Sequence, residues 1–249
     1  MIKFFRKIRF NLMETGKTGK YLKYAAGEIV LVVIGILIAL SINNWNNDRI
    51  ENQKLNTYLK ALKFETQNNI NRLAAALTRA SKDLQMSVET ISKLNAETSK
   101  NLTSDDIINL NLGPIFKIEL EQSVINEIMY TGVLEHLSND SLKKKISRIN
   151  LELEDYKTSY NHARAIWDDY MLPYHSKHIN VTGLWDSINN IALPKLPFKN
   201  DLDAFVYNRE YANILASRAR MMGNLERDIK LITTRFNALV DELDMFLDE

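Results

Sequence analysis

From Ile29 to Leu40 the chain runs twelve residues without a polar side chain, and the wider stretch Tyr24–Ile42 reads YAAGEIVLVVIGILIALSI. At about 1.5 Å of rise per residue, nineteen residues of helix reach about 28 Å, close to the ~30 Å of a bilayer's hydrocarbon core. Beyond it the pattern turns periodic. Leu55, Leu59, Leu62, Ile70, Leu73, Leu77, Leu84, Val88 and Ile91 recur at helical spacing, with Thr66 and Ala80 filling missing steps. This predicts one amphipathic helix over residues 43–98, continuous with the apolar segment.

A break is expected over residues 101–114, where Ser104 or Asp105 offers a cap. A second helix is predicted over 118–136, with Val124, Ile125, Ile128 and Met129 inward, followed by Ser138, Asn139 and Asp140 as cap chemistry. A third carries Leu142, Ile146, Ile149, Leu153, Tyr156, Tyr160, Ala163, Trp167 and Tyr170 on one face and should stop at Pro173. A fourth spans 201–247 with Phe205, Ala212, Leu215, Ala219, Met222, Ile229, Phe236, Leu243 and Phe246. Four amphipathic helices with one stripe each bury those stripes as an antiparallel bundle, so the predicted fold is all-α. The scarcity of Gly (8) and Pro (4) agrees with long helices.

Charge decides what the apolar segment is. Residues 1–24 carry Lys3, Arg6, Lys7, Arg9, Lys17, Lys20 and Lys23 against Glu14 alone, whereas residues 43–249 hold 29 acidic and 25 basic residues. The positive-inside rule then places the N-terminus in the cytoplasm and the remainder beyond a bacterial inner membrane, in the periplasm. A cleaved signal peptide is the alternative, with Ala39-Leu40-Ser41 as the site; the long basic region and the helical pattern past Asn43 favour retention as an anchor. The expected division is a basic interfacial segment at 1–23, a transmembrane helix at 24–42 and a periplasmic helical bundle at 43–249.

Several positions near the anchor are candidates for function. Glu28 lies in its first turns, where a carboxylate is an interfacial group or a contact to another subunit. Gly35 and Ala39 form a small-xxx-small pair that lets two such helices approach closely, and Trp45 falls where an aromatic belt forms. Lys3, Arg6, Lys7 and Arg9, interleaved with Ile2, Phe4, Phe5, Ile8 and Phe10, fit a helix lying on an anionic leaflet. That apolar interleaving argues against nucleic acid as the partner. Gly16-Lys17-Thr18-Gly19-Lys20 is not a phosphate loop: the first glycine the motif needs is Asn11.

The stretches FFRKIR, GKTGKYLKYAAGEIVLVVIGILIAL and SINNWN resemble the N-terminal signature of an uncharacterised family of Bacteroidota single-pass membrane proteins. The likeness is looser downstream, at Met129-Tyr130-Thr131-Gly132-Val133-Leu134 and the closing helix. The resemblance implies the topology and supplies no activity or site residue.

Chemistry is sparse elsewhere. With no cysteine, thiolate catalysis and Cys-ligated zinc are excluded. The long connection 174–200 holds His175, His178 and Trp185, but two histidines fall short of a zinc ligand set. Asp168 and Asp169 are adjacent and so point about 100° apart on a helix, a poor arrangement for shared acid–base work. Lys143-Lys144-Lys145 reads as a solvated face.

No cofactor, metal or catalytic set is expected. The functional expectation is a non-catalytic scaffold, self-associating or an accessory subunit of an envelope complex; polar residues in the stripes thin the seam and leave room for burial between subunits. The alternative is a sensor-like ligand-binding bundle, with a pocket at Tyr156 or Tyr160, that signals through a membrane partner.

Overall fold

The computed structural model describes residues 10, 18–94, 113–115, 117–180, 187–188, 191–192, 194 and 196–248. The chain divides into two compact units, Met1–Asn56 and Thr57–Glu249.

One helix, α1 (Thr18–Lys93, 76 residues), begins in the first unit and ends in the second. Within the first unit its side chains from Ile29 to Leu40 are all exposed to the surroundings. The helix has an apolar window of mean hydropathy 2.6, none of it buried by protein, and is long and apolar enough to cross a membrane.

In the second unit α1 presents a seam of Leu59, Leu62, Thr66, Asn69, Leu73, Ala76, Ala80, Ser87 and Thr90, all buried. The steps alternate three and four, the period of a helix packed lengthwise against its neighbours. Thr66 and Ala80 fall where expected. Ile70, Leu77, Leu84 and Ile91 only flank the seam, and Val88 is 48% exposed. The polar seam residues displace them because hydrogen bonds satisfy their side chains. Ser87 and Thr90 donate back to the carbonyls of Asp83 and Met86 at 2.8 and 2.7 Å. The Asn69 amide pairs with the backbone of Glu121, donating at 2.8 Å and accepting at 2.7 Å.

That pairing corrects the second predicted helix. Residues 117–122 form no regular structure, because Asn69 and Arg72 occupy their backbone: Arg72 Nη1 donates to the carbonyl of Glu119 at 3.0 Å. Helix α2 spans only Ser123–Thr131, with Ile125 and Ile128 buried. It ends at Gly132, whose φ of 69° is the left-handed conformation glycine adopts at no steric cost, and a 3₁₀ turn Val133–His136 follows. Met129, expected inside, is exposed.

Helix α3 (Asp140–Ala165) starts on Asn139, whose side chain accepts from the Leu142 amide at 3.0 Å, as the cap chemistry predicted. Pro173 does not stop it. A π-helical turn, Ile166–Met171, follows, and the Leu172 amide donates five residues back to the Trp167 carbonyl. The widened turn admits a residue lacking an N–H, and the chain continues as helix α4 (Leu172–His178). It also shifts the inward face: Met171 and Tyr174 are buried, whereas Tyr170 is 57% exposed.

The connection that follows is shorter than predicted, because α4 takes up its first residues to His178. Ser187–Ile188 pairs antiparallel with Ile191–Ala192. At its neck Asn180 and Asn200 clasp, the Asn180 amide donating to Asn200 Oδ1 at 2.5 Å. The fourth predicted helix is two: α5 (Leu202–Val206) and α6 (Arg209–Asp248). Asn208 separates them and caps α6, accepting from the Glu210 amide at 2.8 Å.

Helices α3 and α6 run antiparallel, joined by Lys145–Glu242, Glu152–Arg235 and a Ser159–Asp228 bond of 2.6 Å. Ile146, Ile149, Leu153, Ile229, Ile232, Phe236 and Leu243 fill the core between helices. The described residues form an all-α fold apart from the two-residue strands.

Candidate functional site

The positions the sequence singles out near the anchor lie along one helix and do not converge. Glu28 is half-buried, Ala39 is exposed and Trp45 is 66% exposed. Among the described residues, a Cβ added at Gly35 would meet nothing within 4 Å beyond its chain neighbours and its own helix backbone. Gly35 and Ala39 are one turn apart and share a face. Lys3, Arg6, Lys7 and Arg9 lie outside the described residues, as do Trp185 and the expected caps Ser104 and Asp105.

In the second unit the structure gathers a site the sequence did not announce. Arg218 occupies a core position of α6 where the apolar pattern pointed to Ala219, and its side chain is 0% exposed. Its guanidinium grips Asp83 of α1 with two bonds, Nε to Oδ1 at 2.8 Å and Nη2 to Oδ2 at 2.5 Å. Nη2 also donates to the Gly113 carbonyl at 2.8 Å, and Nη1 to Met171 Sδ at 3.2 Å. One cation thereby ties α1, the 113–115 segment, the π-turn and α6. A buried arginine is tolerated only when its donors are paired in this way. The one signal in the sequence was an arginine interrupting the spacing Leu215, Met222, Leu225.

Beside it lies an aromatic box. Tyr174 stacks on Tyr211 at 5.4 Å and donates its hydroxyl to the Phe205 carbonyl at 2.8 Å. His175 sits among Trp167, Phe205 and Tyr211, with ring centroids 5.6, 5.4 and 6.1 Å away. Its Nε2 is buried and has no hydrogen-bond partner among the described residues. Burial, and secondarily the charge of Arg218, lower its pKa from the ordinary 6.5 to about 4. Burial likewise raises the Tyr211 hydroxyl, so both groups are neutral near pH 7.

His178, three residues on, tilts against Tyr174 at 4.4 Å and joins no ligand set. Among the described residues no three His, Cys, Asp or Glu side chains gather as a metal site would require. Asp168 is held by Arg164 at 2.7 Å on the π-turn. Lys145 bridges to α6 through Glu242 and the Ala238 carbonyl, so that lysine does structural duty.

Two cavities flank the site. The first, about 180 Å³, is lined by Arg79, Asp83, Pro114, Tyr156, Tyr160 and Met222. Both tyrosines spend their hydroxyls on backbone carbonyls, Tyr156 on Ile118 at 3.1 Å and Tyr160 on Ile115 at 3.0 Å. Burial pushes the Tyr156 hydroxyl up to about 12. They brace the segment crossing over them. The second is an open groove of about 740 Å³ beside the π-turn, where Ile166, Tyr170 and Ile214 meet Asn208, Arg209 and Asn213.

Against known proteins, residues 28–161 match the model of a family of unknown function, DUF6090. The match begins inside the apolar segment and ends in α3, so it takes in Glu65, Asn69 and Asp83 but not His175 or Arg218. No curated protein and no solved structure matches the chain. Because the matched residues make up more than half of its length, the chain belongs to the DUF6090 family.

Proposed function

We propose that this protein is a membrane-anchored scaffold of the bacterial envelope, single-pass in the inner membrane with its N-terminus cytoplasmic and its helical bundle periplasmic. The observation that carries the reading is α1, a single helix bearing both an uncovered apolar span and one wall of the bundle core. An uncovered span of that length is stable in lipid, where the helix satisfies its own backbone. The cations Lys3, Arg6, Lys7 and Arg9 precede it and set the orientation, in the manner of a Bacteroidota family whose signature the N-terminus resembles. Gly35 and Ala39 are the contact through which two anchors associate, and Glu28 and Trp45 mark the two membrane surfaces. The role is not catalytic; the bundle works as an interaction module, as a homo-oligomer or as an accessory subunit.

The test is to purify the full chain in mild detergent, measure its mass by light scattering and identify what co-purifies. A defined oligomer or a stoichiometric envelope protein supports the reading. A monomer without companions counts against it.

A second reading, a sensor-like bundle relaying through a membrane partner, draws on the open groove of about 740 Å³, within the ~300–1,000 Å³ usual for small-molecule sites. Native mass spectrometry that finds a retained small molecule would favour it. The smaller cavity at Tyr156 and Tyr160 does not reach that size.

A further inference from the structure

His175 is an imidazole in a place built to reject its charge. Its Nε2 is buried and has no hydrogen-bond partner among the described residues, so the N–H that the imidazolium carries there finds no acceptor among them. Aromatic rings from three elements surround it: Trp167 of the π-turn, Phe205 of α5 and Tyr211 of α6. The charged group bearing on it is Arg218, already committed to Asp83, Gly113 and Met171. Nearby carboxylates are no counter-ion for the ring: Asp83 is gripped by Arg218 from α1, Asp168 is bonded to Arg164, and Glu210 bears on Tyr174. On its own helix, His178 lies against Tyr174.

We propose that His175 makes this end of the bundle an acid-released latch: protonation of its ring separates α4 from α5 and the start of α6 while the long helices stay packed. Two features make the separation local. The elements it joins are short, α4 of 7 residues and α5 of 5, so they hold to the bundle chiefly through this cluster. The long helices keep their own core, with Leu59, Leu62, Ile146, Ile229 and Phe236 all buried. Opening bares Tyr174, Phe205 and Tyr211, which are buried in the closed bundle, and further exposes the half-buried Trp167 beside them. The step is a proton transfer from solvent to the neutral imidazole ring of His175, with no other bond made or broken.

The experiment is a pH titration of the full-length protein in detergent, read two ways. Histidine ring resonances report each imidazole, and Trp167 fluorescence reports the latch in a Trp45→Phe/Trp185→Phe background. His175 is expected to titrate near 4, well below the ordinary 6.5, with Trp167 emission changing in the same step and far-UV helicity nearly constant. His175→Gln should abolish the Trp167 step. The inference is overturned if His175 titrates near the ordinary 6.5, if its titration leaves Trp167 unchanged, or if the step survives in His175→Gln. The direct reading of His175 in the unsubstituted ring environment keeps the test decisive even where the Gln variant folds poorly.

Discussion

Glu65 caps a helix that begins almost sixty residues further along the chain: its carboxylate accepts the backbone amide of Val124 at 2.8 Å. The same side chain takes the Ser123 hydroxyl at 2.9 Å and the Ile125 amide at 3.2 Å. Gln122, at the position where a capping side chain would stand, makes no such bond. The first amides of a helix have no partner within it and carry partial positive charge, so a buried carboxylate from α1 satisfies both. Glu65 therefore sits in a hydrophobic seam at little cost, and α2 depends on α1 for its start.

Glu65→Ala should cost about 1–3 kcal/mol, the range for leaving buried backbone donors unpaired. Glu65→Gln, which keeps one acceptor, should lose less. Urea denaturation gives the magnitude. Hydrogen exchange gives the place: the Val124 and Ile125 amides should lose protection while those of α3 keep theirs. Uniform loss across the bundle would mean that the capping bonds are not what the substitution removes.

Arg218 and Asp83 form a pair whose halves are worth more together than apart. Removing one leaves the other charge buried, so Arg218→Met or Asp83→Leu alone should destabilise by about 3–5 kcal/mol. The double variant should recover much of that, because two apolar side chains replace a desolvated pair. Thermal or urea unfolding of the four proteins closes the cycle. Additive losses would show that the two residues act independently, against the geometry of their 2.5 and 2.8 Å bonds.

How much of this was legible follows from what periodicity encodes. The apolar span, α3 and its Asn139 cap were plain, because unbroken hydrophobicity, spacing and capping chemistry are local signals. The seam of α1 was misread where it turns polar, since Asn69 and Glu65 belong in a core only once residues 119–125 are known to lie against them. The same distant contact unwound the predicted start of the second helix. Pro173 misled because a π-turn, invisible to a 3.6-residue period, lets the helix pass it. Arg218 was hidden for a similar reason: an arginine reads as surface until Asp83, 135 residues earlier, supplies its partner.

His175 also sets how stability depends on pH. Its pKa is lowered from 6.5 to about 4 by burial and by Arg218, so between those values the unfolded chain binds a proton that the folded chain refuses. The contribution is fully present above pH 6.5 and lost as pH falls toward 4, amounting to up to ~3 kcal/mol. Urea midpoints measured from pH 7.5 down to pH 4 should fall more steeply for the natural protein than for His175→Gln. Parallel curves would mean that other groups carry the acid limb.

The proposed association of anchors makes a prediction at Gly35. On a helix, Gly35 and Ala39 lie on the same face, and among the described residues a Cβ at Gly35 meets no atom within 4 Å beyond its chain neighbours and its own helix backbone. A bulky residue there is thus harmless to a lone helix but obstructs a second one approaching along that face. Gly35→Ile should shift the mass in detergent toward the monomer while leaving helicity and the urea midpoint of the bundle unchanged. Gly35→Ala, which adds a single methyl, should lower the association far less. An unchanged oligomer in the Ile variant would place the contact on the bundle instead, and a monomeric natural protein would remove the premise.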